Sequence, residues 1–444
     1  MTRTAKAVIM GIALVMVAPA CGGDHSRATT TTNAVPFVAV DPNSTSPRDR
    51  AIAVAQKRLE QNANDDHARV DLAVAFLQKV RETADPTLYT KAQGLLDDVA
   101  KRLPDDLTLL VAQGTLALAL HKFEDAARIG AHALAVAPNT AAVYGILVDA
   151  DNELGRYDEA LDATQHMVDI RPNLASMSRV SYARELRGDL PGAIEAMQQA
   201  VTDADSRSGE NVAYVQTLAG QLLLTTGDLN GADREFALAL QNFPDFPAAR
   251  AGQAQVLVAR EKFAAAARIL DRVVKVQPLA QYASALGDAL TAAGKPDAAE
   301  QAYGLVDVTS KLYESAGVQL DLEIALFDAE HHAGKEAVAI ARRALAARPS
   351  TLGHDVLAWN LFQVGQLDEA AKESQAALAL GSRDPQARYH AAAIKAARGD
   401  RAGAAADLRI VLAENPRFNA RLIPKVADLA RSLGLAMPPV MSNV

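Results

Sequence analysis

The sequence predicts an all-α protein, an α-solenoid of about ten stacked helix pairs. Three periodic marks predict it. Ten alanines recur down the 444-residue chain, at Ala92, Ala126, Ala160, Ala193, Ala232, Ala266, Ala299, Ala337, Ala370 and Ala404, in steps of 34, 34, 33, 39, 34, 33, 38, 33 and 34 residues. In seven units a proline stands twelve residues after the alanine, at Pro104, Pro138, Pro172, Pro244, Pro278, Pro349 and Pro416, while the other three carry Asp205, Lys311 and Ser382. In six units a glycine stands five residues before it, at Gly155, Gly188, Gly227, Gly294, Gly365 and Gly399. Each unit therefore reads as helix, glycine turn, helix, proline stop, copied along the chain.

The unit from Ala141 to Asn173 shows what each mark does. Tyr144, Leu147, Val148 and Leu154 recur at helical spacing, so the first helix carries one apolar stripe. Gly155 closes that helix, because glycine takes a left-handed backbone at no steric cost. Asp158 and Glu159 open the second helix at the positive end of its dipole. Ala160 faces the first helix where a larger side chain would push the pair apart. Leu161, Thr164, Met167 and Val168 continue the inner face. Pro172 lacks an N–H and stops the second helix, and the next unit begins.

These units resemble the tetratricopeptide repeat. The turn Gly155-Arg156-Tyr157-Asp158-Glu159-Ala160 with Pro172 matches that motif, and Gly365 to Ala370 and Gly294 to Ala299 are near copies. Gly114, Gly220 and Gly287 match its first small residue, Leu147, Leu286 and Leu357 its leucine, and Ala200, Ala239, Ala344 and Ala377 its later small position. The likeness covers residues 66–417, and residues 181–197 and 357–370 are similar to a group of largely uncharacterised bacterial tetratricopeptide proteins. It implies a right-handed superhelix whose first helices line a concave groove that binds protein or peptide. As a fold signal it is specific, but the fold hosts many partners.

The flanks and the irregular steps complete the array. Arg50–Asn62, within a segment 49–65, reads as an amphipathic cap, and Arg421–Leu433, within 418–444, as the cap at the other end. The two long steps place extra residues at Thr202–Asn211 and Thr309–Val318, between units, as longer loops or extended helix ends. The first unit has a longer internal turn around Ala84-Asp85-Pro86.

The N-terminus carries a second signal. Arg3 and Lys6 precede the apolar run Ala7–Val17, and Ala18-Pro19-Ala20-Cys21 follows, with Cys21 the single cysteine of the chain. Residues 1–20 have the three regions of a secretory signal. The segment resembles a bacterial lipobox, which implies that Cys21 becomes an acylated N-terminus holding the protein on the outer face of the cell membrane. The alternative is an ordinary secretory signal with an incidental cysteine. Residues 21–48, with Thr29–Thr32 and few large apolar groups, read as a disordered tether.

Composition narrows the partners. The formal charge is −8, and no Lys/Arg face is clustered, which argues against nucleic acid. No GxSxG, HExxH, phosphate-loop or GxGxxG pattern occurs, so neither catalysis nor a cofactor is expected. Asp328 and His332, four apart, are the one metal candidate, set against a solvated helix end.

The expected function is a lipid-anchored scaffold for other envelope proteins or peptides. The alternatives are an accessory subunit of cell-wall or transport machinery, or a solute or metal receptor. By the likeness, Tyr182, Tyr214, Trp359, Phe362 and Tyr389 project into the groove as anchors. The competing reading packs Trp359 between units. Asp149, Glu153, Glu185 and Asp288 are expected in the same groove, where they would repel a C-terminal carboxylate.

Overall fold

The computed structural model describes residues 38–40, 46–204 and 209–440. Twenty-two helices and no strand occur among them. A leading helix, α1 (Pro47–Gln61), is followed by pairs: α2 (Asp66–Thr83) with α3 (Thr87–Ala100), α4 (Leu107–Ala119) with α5 (Phe123–Val136), and α6 (Ala141–Glu153) with α7 (Tyr157–Ile170). Next come α8 (Leu174–Leu186) with α9 (Leu190–Thr202), α10 (Gly209–Thr225) with α11 (Leu229–Asn242), and α12 (Pro247–Ala259) with α13 (Phe263–Val276). The array continues with α14 (Ala280–Ala292) and α15 (Pro296–Ser315), then α16 (Asp321–His331) and α17 (Lys335–Ala347). It ends with α18 (Thr351–Gln363) and α19 (Leu367–Ala377), α20 (Pro385–Ala397) and α21 (Arg401–Ala413), and the closing helix α22 (Leu422–Ser432). The chain is an all-α solenoid of ten helix pairs.

Packing explains the alanine period. Each of the ten alanines is 2% exposed or less, one turn into the second helix of its pair, where the two helices come closest. The second helices start on local signals. Asp189, Asp228 and Asp400 each accept the backbone N–H of a glycine three residues on, at 3.0, 2.8 and 2.8 Å, capping α9, α11 and α21.

The tether ends earlier than the expected boundary at residue 48. Val38 N donates to Gln56 Oε1 at 2.8 Å, Gln56 Nε2 returns a bond to Val38 O at 3.1 Å, and Val38 and Val40 pack on the first core cluster. Two apolar residues and one buried amide are enough to dock this strip on α1. Ser46 then caps α1, with Pro47 in its first turn. The expected signal peptide, Cys21 and the rest of the expected tether lie outside the described residues.

The solenoid winds past one full turn and closes on itself, which no feature of the sequence announces. The turns inside units one to six meet the later coil, largely at its junctions between units, across sequence separations near 195 residues. Gln319 N donates to Leu120 O at 3.0 Å, and His121 Nδ1 lies 2.9 Å from Gln319 O, 198 residues away. Arg348 Nε reaches Glu153 Oε2 at 2.6 Å, and Thr351 N donates to Tyr157 Oη at 2.6 Å. Asn415 Nδ2 donates to Leu224 O at 2.9 Å, and Arg417 Nε to Glu261 Oε1 at 2.7 Å. At Gly155 the backbone φ is +69°, and a Cβ would stand 2.4 Å from Pro349 O, so glycine serves both the turn and the seam. Gly188 and Gly227 are covered in the same way by Gly381 O and Glu414 O, whereas Gly294, Gly365 and Gly399 of the later units face open space. In the second and sixth turns the position is held by His121 and Glu261, also at positive φ, whose side chains themselves bond the later coil.

Both long steps serve this closure. The first falls around residues 205–208, outside the described residues, and ends in Glu210, which is 3% exposed and ion-paired with Arg48 and, at 2.9 Å, with Arg81. The second is not a loop: it lengthens α15 to 20 residues. That extension carries Tyr313 to the first unit, where its hydroxyl donates to Ala84 O at 3.1 Å. Gln277 Nε2 adds a bond to Arg81 O at 2.8 Å.

Candidate functional site

The first helices of successive units line the inside of the coil. Closure turns the expected open groove into a lumen, and the five candidate aromatics divide within it. Tyr182 on α8 remains 41% exposed, yet desolvation pushes its phenol well above the ordinary value. Both observations fit a side chain standing in a hollow with close walls. Tyr214 on α10 is half-buried, with the Arg81 guanidinium 5.8 Å from its ring centre, and burial raises its phenol as well.

Trp359, Phe362 and Tyr389 are not groove anchors. Trp359 is 1% exposed, parallel to the Phe362 ring at 4.8 Å and to the His390 ring at 4.0 Å, with Tyr389 edge-on at 5.9 Å. Its indole N–H donates to Glu330, itself 5% exposed. Tyr389 is 4% exposed, and Phe362 is a half-buried member of the same packing. Helical phase places Trp359 on the inner side of α18, but α16 and α20 close over that side, so the indole packs between adjacent units.

The acidic positions of the inner wall are mostly answered by partners. Asp149 is paired with Arg179 through a two-pronged contact whose Nε–Oδ1 distance is 2.9 Å. Glu153 is held by Arg348, and Asp288 accepts the Tyr303 hydroxyl at 3.0 Å. Arg179 and Arg348, which the motif pattern does not single out, thus neutralise carboxylates expected to be free. Glu185 differs. Its carboxylate makes no hydrogen bond or ion pair with another described residue, and desolvation together with the charge of Asp384 pushes it up to about 7. Asp384 belongs to the later coil, where it caps α20.

Asp328 and His332 form a closed pair, Oδ1 to Nδ1 3.0 Å. Among the described residues no group of three or more His, Cys, Asp or Glu side chains could hold a metal ion.

The helix pairs, the alanine contacts and the inner wall agree with what known proteins share with this chain. Residues 111–175 and 251–306 match the tetratricopeptide repeat family. These segments are similar to the tetratricopeptide repeat. No curated protein matches its sequence. Among solved structures, a thermophilic tetratricopeptide protein of Thermus thermophilus is 20% identical over 44% of this chain and 99% of its own, with a TM-score of 0.38. Yeast Tom70 is 13% identical over 82% and 95%, at 0.34. The hetero-tetramer of Cut9 and Hcn1 from the APC/C is 15% identical over 87% and 66%, at 0.41. Tetratricopeptide arrays are interaction scaffolds, and their inner surfaces are where partners are usually held.

Proposed function

We infer that this tetratricopeptide array is a non-catalytic scaffold, exported and lipid-anchored through Cys21, that holds a basic segment of another envelope protein in its lumen. The observation that carries the binding reading is the Tyr182–Glu185–Asp384 corner. Burial and the charge of Asp384, which comes from the other coil, raise the cost of ionising Glu185. A lysine or arginine from a partner would relieve that repulsion and lie beside the exposed Tyr182 ring. The anchoring reading rests on the signal-like residues 1–20 and the single cysteine behind Ala20.

An oligolysine peptide titrated into the protein tests the corner. Glu185 must be ionised to receive a cation, and with a carboxyl near 7 its ionised fraction rises about tenfold from pH 6 to pH 8. Affinity should rise by about the same factor over that range. Glu185→Gln should remove the pH dependence, and Tyr182→Ala should weaken binding at both pH values. Affinity that ignores both substitutions sinks the lumen as the binding face.

Anchoring has its own test. Cys21→Ser should leave the precursor unprocessed or move the protein out of the membrane fraction. A Cys21→Ser chain that matures and sediments as wild type does removes the lipid anchor from the reading.

A further inference from the structure

Between the two coils lies an apolar cavity of about 230 Å³. Its walls come from both coils: α2, α3, α10 and the start of α12 on one side, α14 to α16 and the lengthened end of α15 on the other. The aromatic share is high for a chain with only 5% aromatics, with Tyr89, Tyr214, Phe246, Tyr282, Tyr313 and Phe327 all on the wall. The charges on the wall already have partners. Arg81 is paired with Glu210, and Glu323 with Arg348 at 2.9 Å.

Several hydroxyls are not so matched. Ser284 is 4% exposed and its Oγ has no hydrogen-bond partner. The hydroxyls of Tyr89 and Tyr282, residues 4% and 3% exposed, make no hydrogen bond to another described residue, and burial raises both phenols. Buried polar atoms normally have partners, and hydroxyls without one gathered around a single cavity point to a missing one. Ordered water would satisfy the hydroxyls but would wet the aromatic walls. A molecule with an apolar body and one polar edge satisfies both.

We propose that this cavity is a binding site for an uncharged, mostly apolar small molecule of about two fused rings, carrying one hydroxyl or carbonyl that meets Ser284 and Tyr282. The size follows from the volume, since a cavity of roughly 150 Å³ accepts benzene. Neutrality follows from the paired charges. Because both coils supply wall, the occupant stabilises the closed superhelix, increasingly so as its concentration exceeds its Kd.

The test uses the full chain with 1-naphthol and naphthalene as probes, read by calorimetric titration and by the thermal midpoint. 1-Naphthol should saturate at one equivalent, raise the midpoint and bind about tenfold tighter than naphthalene, the worth of one good hydrogen bond in a dry site. The double variant Tyr282→Phe/Ser284→Ala only deletes hydroxyls that lack partners, so it should fold as wild type and bind the two probes equally. Absence of saturable binding by either probe overturns the proposal. So does a naphthol preference that survives in the folded double variant, which would place the probe elsewhere.

Discussion

Arg348→Met is expected to destabilise the whole array by about 3–5 kcal/mol, the range for leaving buried carboxylates without their cation. Arg348 is 5% exposed and bonds Glu153 of the first coil and Glu323 of the second, with its guanidinium 5.0 Å from the Phe123 ring centre. Removing it leaves two carboxylates facing each other inside the seam. Their carboxyls would then be raised, so the variant should recover part of its deficit as pH falls toward 4, where both are protonated. Urea unfolding followed by circular dichroism at pH 7 and pH 4 measures both effects. A loss below about 1 kcal/mol would mean that the contact between coils contributes little beyond a surface ion pair.

Trp359→Ala should cost a comparable amount, about 3–5 kcal/mol, from the cavity left between α16, α18 and α20. Part of the loss comes from Glu330, which would lose the indole donor while remaining buried. Trp359→Phe keeps most of the volume and removes only that donor, so it should cost about 1–3 kcal/mol. Denaturant midpoints of the two variants separate the contributions. Wild-type emission should be blue-shifted and poorly quenched by acrylamide, since this is the single tryptophan. Easy quenching would return Trp359 to the surface.

Much of the fold is written locally. The alanine period locates the tightest contact in every pair, and the glycine and aspartate marks locate where helices start and stop. These signals act within a few residues, and a single unit contains all of them. The expected caps at Arg50–Asn62 and Arg421–Leu433 fall on the helices Pro47–Gln61 and Leu422–Ser432. The seam was not readable, because it depends on a small rotation per unit summed over about a full coil, and no local pattern encodes that sum. Its traces are visible afterwards in His121 and Glu261, which replace the turn glycine, and in the two long steps that end at Glu210 and Tyr313.

The candidate site was legible only in part, for a related reason. Periodicity marks the apolar stripe of each helix. It does not say whether a neighbouring unit closes over that side, as α16 and α20 do for Trp359. Nor does it say which arginine from the next unit answers a carboxylate, as Arg179 does for Asp149.

The seam also sets an order of events in folding. An open solenoid has contacts only between neighbours, so any stretch can nucleate and growth can proceed from either end. Here the bonds joining Leu120 to Gln319, Tyr157 to Thr351 and Leu224 to Asn415 span 191 to 199 residues, and none forms until the intervening units have taken their final rotation. Closing so long a loop carries an entropy cost that is met only once, late, by many contacts together. A nascent chain would therefore expose the inner wall of its first units until the units some 195 residues later were made, and the seam would then close progressively, from Arg81–Gln277 toward Leu224–Asn415.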